Sequence, residues 1–241
     1  VMFLYIALFP QLVTGPIIRF HEIASQFITR QANADSMAEG MRRFVLGLSK
    51  KVLIANPVGA IADKAFAVPI NQVGWDIAWL AACCYAIQIF FDFSGYSDMA
   101  IGLGKMFGFT FPENFNYPYM SLSIREFWRR WHITLSSWFR DYVYIPLGGN
   151  RGGKLLESRN LILVFFLCGL WHGASWNFVI WGLFHGLFLS LERTNFCSNL
   201  LARTPKFFSW LYTMVVVHIG WVFFRLESLP EALTYISAMS G

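Results

Sequence analysis

Histidine is the side chain whose unperturbed charge change falls nearest neutral pH, and the chain carries five, at His21, His132, His172, His185 and His218. His172 closes an apolar run and stands in Trp171-His172-Gly173, where the glycine permits close packing or backbone freedom beside it. An ionisable residue within a membrane-type segment is a functional hypothesis by default. The alternative is a neutral imidazole hydrogen-bonded to a neighbouring helix, and the residues alone leave both open. His132 recurs with Arg125, Arg129 and Ser136 at spacings of four, three and four, a polar face that suits an interface or a wet cavity. Taken singly, His132 reads first as an interfacial histidine. His185 and His218 fall within apolar runs and read as packing residues, while His21 sits in a polar stretch.

Two carboxylates, Asp92 and Asp98, flank Phe93-Ser94-Gly95-Tyr96-Ser97. A carboxylate at a membrane-helix end can hold a proton, an ion or a helix N-terminus. The expectation is that they cap a Gly-rich helix, with substrate contact as the second reading. Arg129, Arg130 and Arg140 suit the phosphate of an anionic donor. Their plainer reading is the positive charge that marks cytoplasmic loops. Several familiar motifs fail. Gly148-x-x-x-x-Gly153-Lys154 is followed by Leu155, so it lacks the hydroxyl of a P-loop. Gly102-x-Gly104 with Gly108 has the wrong spacing for a dinucleotide loop. Neither G-x-S-x-G nor H-E-x-x-H occurs. Cys83, Cys84, Cys168 and Cys197 form no C-x-x-C and read as free thiols, so no metal is expected.

The elements that would position these residues are apolar. Of 241 residues, 56% are hydrophobic, 18% aromatic and 14% charged, and the mean hydropathy is +0.48. Soluble domains carry about 25% charged residues, so the deficit favours a membrane class. The net charge of +5 lies in short groups such as Arg42-Arg43, Lys50-Lys51 and Arg129-Arg130 beside apolar runs, which points to membrane topology rather than nucleic acid. The absence of an N-x-S/T sequon fits a bacterial source. The chain begins with valine and shows no charged signal-peptide start, so it is expected to be a fragment.

Along the chain, residues 1–18 read as the end of a membrane helix followed by a turn at Pro10, Gly15 and Pro16. Residues 21–39 read as a polar surface segment. Residues 41–66 read as a membrane-edge helix interrupted at Asn56-Pro57. Residues 75–91 make the first convincing span, followed by a separate, shorter Gly-rich helix over 94–109. Ser123 and Glu126 form a capping-box pattern that opens a helix running to Tyr144, with Ile124, Phe127, Trp128, Trp131, Leu135 and Trp138 on its apolar face. A tight loop follows over 146–153, then apolar runs over 161–171, 176–191 and 207–224. The fold expected is all-α, one membrane domain over residues 1–241.

Four segments in order carry a resemblance: FFDFSGYSDMAIGLGKMFGF (90–109), PENFNYPY (112–119), SIREFWRRWHITLSSWFRDYVYIPLGGNR (123–151) and LWHGASWNFVIWGLFHG (170–186). With FPQLVTGPIIRF (9–20), they resemble the bacterial branch of the membrane-bound O-acyltransferase family, and in particular its polysaccharide-acetylating members. The resemblance implies a multi-pass helical ring around a central tunnel, in the bacterial cytoplasmic membrane, with further N-terminal helices in the full-length protein. It implies that His172, in the family's W-H-G segment, is catalytic, and that His132, in W-H-I-T-L-S, is the second site position.

The chemistry implied is O-acyl transfer. A neutral imidazole can take the proton of an alcohol as it attacks a thioester carbonyl, and burial favours the neutral ring. His172 is the expected base. His132, Ser136 or a backbone N–H would orient the acceptor or stabilise the oxyanion. Arg129, Asp92 and Asp98 are expected substrate contacts. The expected donor is acetyl-CoA or another acyl thioester on the cytoplasmic side, with no bound cofactor. The expected partners are the bilayer, an exported alginate-like polysaccharide and an extracytoplasmic acyltransferase protein. D-alanyl transfer from a carrier protein to teichoic acid is the alternative within the family. A transporter without acyl chemistry is the alternative outside it.

Overall fold

The computed structural model describes residues 2–12 and 15–241, and among these every regular element is helical. Val1, Val13 and Thr14, part of the first expected helix and turn, lie outside the described residues. The remainder of that stretch is a short helix, Met2–Ile6, and a single turn, Phe9–Gln11.

Among the described residues, four helices are long and apolar enough to cross a membrane: α1 (Ala34–Phe66), α2 (Trp75–Met106), α5 (Lys154–His172) and α8 (Lys206–Arg225). Between them lie α3 (Ile124–Arg130), α4 (Ile133–Phe139), α6 (Trp176–Glu192) and α7 (Asn195–Arg203), and α9 (Leu229–Ala238) follows. Helix α1 packs along α2, α5 along α6, and α8 contacts both α6 and α2. The core they enclose is aromatic, with Phe127, Trp131, Trp181 and Trp221 buried at its centre.

Helix α1 is continuous through Asn56-Pro57, where the sequence predicts a break. Proline has no N–H to donate, and a π-helical turn over Lys50–Ala55 directly precedes it and absorbs the mismatch. The outer face of α1 exposes Val45, Leu46, Val52, Leu53 and Ile61, a surface suited to hydrocarbon.

Helix α2 merges the two helices expected over 75–91 and 94–109 into one of 32 residues, roughly 48 Å long at 1.5 Å per residue. The glycines do not end it, because they form its seam with α1. A Cβ on Gly47 would lie 2.5 Å from the Gly95 carbonyl oxygen, and one on Gly102 would lie 2.6 Å from that of Gly40. Small residues at this register let two backbones meet. Asp92 and Asp98 therefore stand within a helix rather than at its end. Their expected capping role is replaced by ion pairing across the same seam.

The helix expected from Ser123 to Tyr144 starts where predicted, with the Ser123 hydroxyl accepting the Glu126 N–H at 3.0 Å. It then breaks at Trp131-His132. His132 adopts φ 44°, ψ 55°, the left-handed region that costs a non-glycine residue roughly 1–2 kcal/mol. The loop over 114–116 passes alongside and holds the break open. Asn116 N–H donates to the Arg130 carbonyl (2.9 Å), and Ile133 N–H donates to the Asn114 carbonyl (2.9 Å). The start of α3 is also fixed from a distance. The Glu192 carboxylate of α6 accepts the N–H groups of Ile124 (2.7 Å) and Arg125 (2.9 Å), where helix N-terminal donors need partners.

Candidate active site

A cavity of about 450 Å³ opens between α2, α3, α4, α5, α6 and α8. His172 enters it from the C-terminal end of α5, and His132 from the break between α3 and α4. Trp171 stands between them, its ring centroid 4.8 Å from that of His172 and 6.4 Å from that of His132. His172 is further walled by Trp181 and Phe224, both edge-on with centroids 5.1 Å away. Most of the wall is aromatic and aliphatic, and Asp92 is its only carboxylate among the described residues.

The two imidazoles are held differently. His172 makes no hydrogen bond to protein among the described residues; packing alone orients it. His132 Nδ1 lies 3.0 Å from Asn114 Oδ1. That oxygen also receives the Thr134 hydroxyl (2.9 Å) and the Thr134 N–H (3.3 Å). Thr134 Oγ1 in turn accepts Ile17 N–H at 3.0 Å, and Asn114 Nδ2 donates to Ser97 Oγ at 3.1 Å. Asn114, His132, Thr134 and Ser97 are all buried.

The break at His132 separates residues that a straight helix would keep together. Arg129 and Ser136 line a second cavity of about 360 Å³, with Arg125, Arg140 and Arg193, on the far side of Trp128 and Leu135. The Ser136 hydroxyl donates to the Trp128 carbonyl at 3.3 Å. Arg125 and Arg129 form no ion pair among the described residues, and burial together with the neighbouring Arg129 and Arg193 pushes the Arg125 guanidinium below its ordinary value. Asp98 faces neither cavity. It is clamped by Arg43 (2.9 Å) and Lys50 (2.5 Å), and Arg43 also pairs with Glu113. Asp92 pairs with Lys51 at 2.5 Å at the rim of the histidine cavity. Of the six sequence-predicted site residues, His172, His132 and Asp92 meet in one cavity.

The other histidines sit elsewhere. His185 is enclosed by Trp128, Trp181 and Phe184. His218 Nδ1 lies 2.7 Å from the Met214 carbonyl of its own helix. Sequence reasoning missed Asn114 and Thr134. Their only local signal is that both lie in the motifs PENFNYPY and WHITLS.

Apolar helices of spanning length around a cavity holding two imidazoles define a membrane protein with an internal site. The chain belongs to the membrane-bound O-acyltransferase (MBOAT) family, whose profile matches residues 1–229. It is 51% identical to the "Probable alginate O-acetylase AlgI" of Azotobacter vinelandii over 235 residues, 98% of this chain and 46% of the relative. It is 44% identical to the peptidoglycan O-acetyltransferase of Helicobacter pylori over 243 residues, 99% of this chain and 46% of that one. Its identity to the teichoic acid D-alanyltransferase of Bacillus subtilis is 30% over 218 residues, 86% of this chain and 53% of the relative. The chain spans about half the length of the curated relatives it matches.

Proposed function

We propose that this chain forms the catalytic core of a multi-pass O-acyltransferase of the bacterial cytoplasmic membrane that acetylates an exported, alginate-like polysaccharide. The observation that carries the reading is the arrival of His172 and His132, from separate parts of the chain, in one largely apolar cavity. His172 takes the proton of the acceptor hydroxyl as its oxygen attacks the acyl carbonyl of a thioester. The new C–O bond forms, the C–S bond breaks as the tetrahedral intermediate collapses, and the proton passes to the departing thiolate.

The donor is an acyl thioester such as acetyl-CoA. Its phosphates are recognised by Arg129, with Arg125, in the second cavity beside Ser136. Among the described residues only Trp128 and Leu135 are shared between the two cavities, so the thioester reaches His172 past them. Asp92 contacts substrate at the cavity rim, and Asp98 holds the seam behind it. An extracytoplasmic acyltransferase protein receives or delivers the acyl group. The identities near 50% favour acetyl over D-alanyl transfer, whose representative stands at 30%.

The test is the O-acetyl content of surface polysaccharide in the host, wild type against His172→Ala, with membrane levels matched. Loss of acetyl ester is the expected result and also argues against a transporter. Unchanged acetyl ester sinks the reading for that polymer, and D-alanyl ester on teichoic acid becomes the next quantity to measure.

A further inference from the structure

The hydrogen bonds around Asn114 determine which nitrogen of His132 carries the proton. A backbone N–H can only donate, so the Asn114 side-chain atom facing Thr134 N–H at 3.3 Å is the carbonyl oxygen. The amide nitrogen is correspondingly turned to Ser97 Oγ, at 3.1 Å. Thr134 Oγ1 already accepts Ile17 N–H, which leaves its own proton for Asn114 Oδ1. The oxygen 3.0 Å from His132 Nδ1 is therefore an acceptor, and a hydrogen bond there requires a proton on Nδ1. In a neutral imidazole, the form favoured at a buried site, Nε2 then holds the lone pair. Among the described residues His132 lines the cavity and Asn114 does not. The ring thus has its Nδ1 edge on Asn114 while His132 itself lines the cavity.

We propose that Asn114 fixes His132 as the Nδ1–H tautomer, so that Nε2 faces the cavity as a hydrogen-bond acceptor for a hydroxyl of the acyl acceptor. The inference rests on the acyl-transfer reading and chooses between the two parts open to His132. A neutral ring protonated at Nδ1 has no proton on Nε2 to give to an oxyanion. It can receive a proton in a hydrogen bond, and a sugar carries hydroxyls beside the one that attacks. His132 thus grips the acceptor while His172 takes the proton of the attacking hydroxyl. Asn114 is a positioning residue, acting through His132 without touching substrate. Thr134 and Ser97 position Asn114 in turn.

The test uses the whole protein in lipid nanodiscs with nitrogen-15 histidine, the His132 signals being assigned by their loss in His132→Gln. The expected wild-type spectrum has the proton on Nδ1 and a bare Nε2, whose shift moves when an alginate oligosaccharide is added. A wild-type ring protonated at Nε2 overturns the proposal whatever the activity. Asn114→Leu should release the tautomer and weaken oligosaccharide binding roughly tenfold, the scale of one lost hydrogen bond, with acetyl-CoA binding unchanged. Asn114→Asp, which keeps an acceptor for Nδ1–H, should restore both. An equal loss of donor and acceptor binding, or an unchanged tautomer in Asn114→Leu, overturns the positioning role. If Asn114→Leu does not accumulate, the wild-type spectrum decides alone. An Nδ1–H ring whose Nε2 ignores a bound, saturating oligosaccharide overturns the acceptor contact, whereas no oligosaccharide binding at all overturns the polysaccharide reading; either leaves the tautomer assignment standing.

Discussion

The seam between α1 and α2 and the histidine cavity both place polar chemistry inside an apolar protein, and they treat it in opposite ways. At the seam the carboxylates that face the partner helix are paired with cations. Asp98 is held by Arg43 and Lys50, and Asp92 by Lys51. In the cavity the two imidazoles are left open. His132 is bonded at Nδ1, and His172 is held by aromatic rings without a protein hydrogen bond among the described residues. Burying a charge is costly unless it is paired, whereas a neutral imidazole can be buried with a nitrogen to spare. The ion pairs are thus devices for holding helices together, and the open imidazoles are where a substrate can bind.

The sharpest way to break this contrast is His172→Ala. Acyl transfer should fall by about 10²-fold or more, the contribution of a general base, with melting temperature nearly unchanged. A protein that melts early and turns over normally would reverse the assignment. Asp98→Ala should do the opposite of the histidine change. It strands Lys50 and leaves Arg43 with Glu113 alone in a partly exposed seam, and should cost about 2 kcal/mol, between an exposed pair and a fully buried one, read as a loss of thermal stability. Gly47→Leu drives a side chain into the Gly95 carbonyl and should destabilise by about 2 kcal/mol, without altering the histidines.

The smallest change is also the most informative. The Lys51–Asp92 pair is 41% and 44% exposed, so Asp92→Asn should move stability by less than about 1 kcal/mol. Because Asp92 also lines the cavity, a substrate contact predicts a several-fold rise in KM for the acceptor. Normal kinetics in that variant would assign Asp92 to the seam alone.

The sequence alone determined the membrane class and the apolar runs that lie within α2, α5, α6 and α8, because hydropathy is a local property of the chain. It also located the start of α3, since a capping serine acts within one turn. It misread Asp92 and Asp98 as caps because a glycine-rich stretch looks like a helix end until another backbone lies against it. It drew one helix through His132 because the bonds that break it come from Asn114 and Asn116, earlier in the chain and outside any helical period. That break sends His132 to one cavity and Arg129 and Ser136 to another. Side chains on one helical face stay together only while the helix is continuous. Continuity here was decided by hydrogen bonds between separate segments, which tertiary packing alone brings within reach.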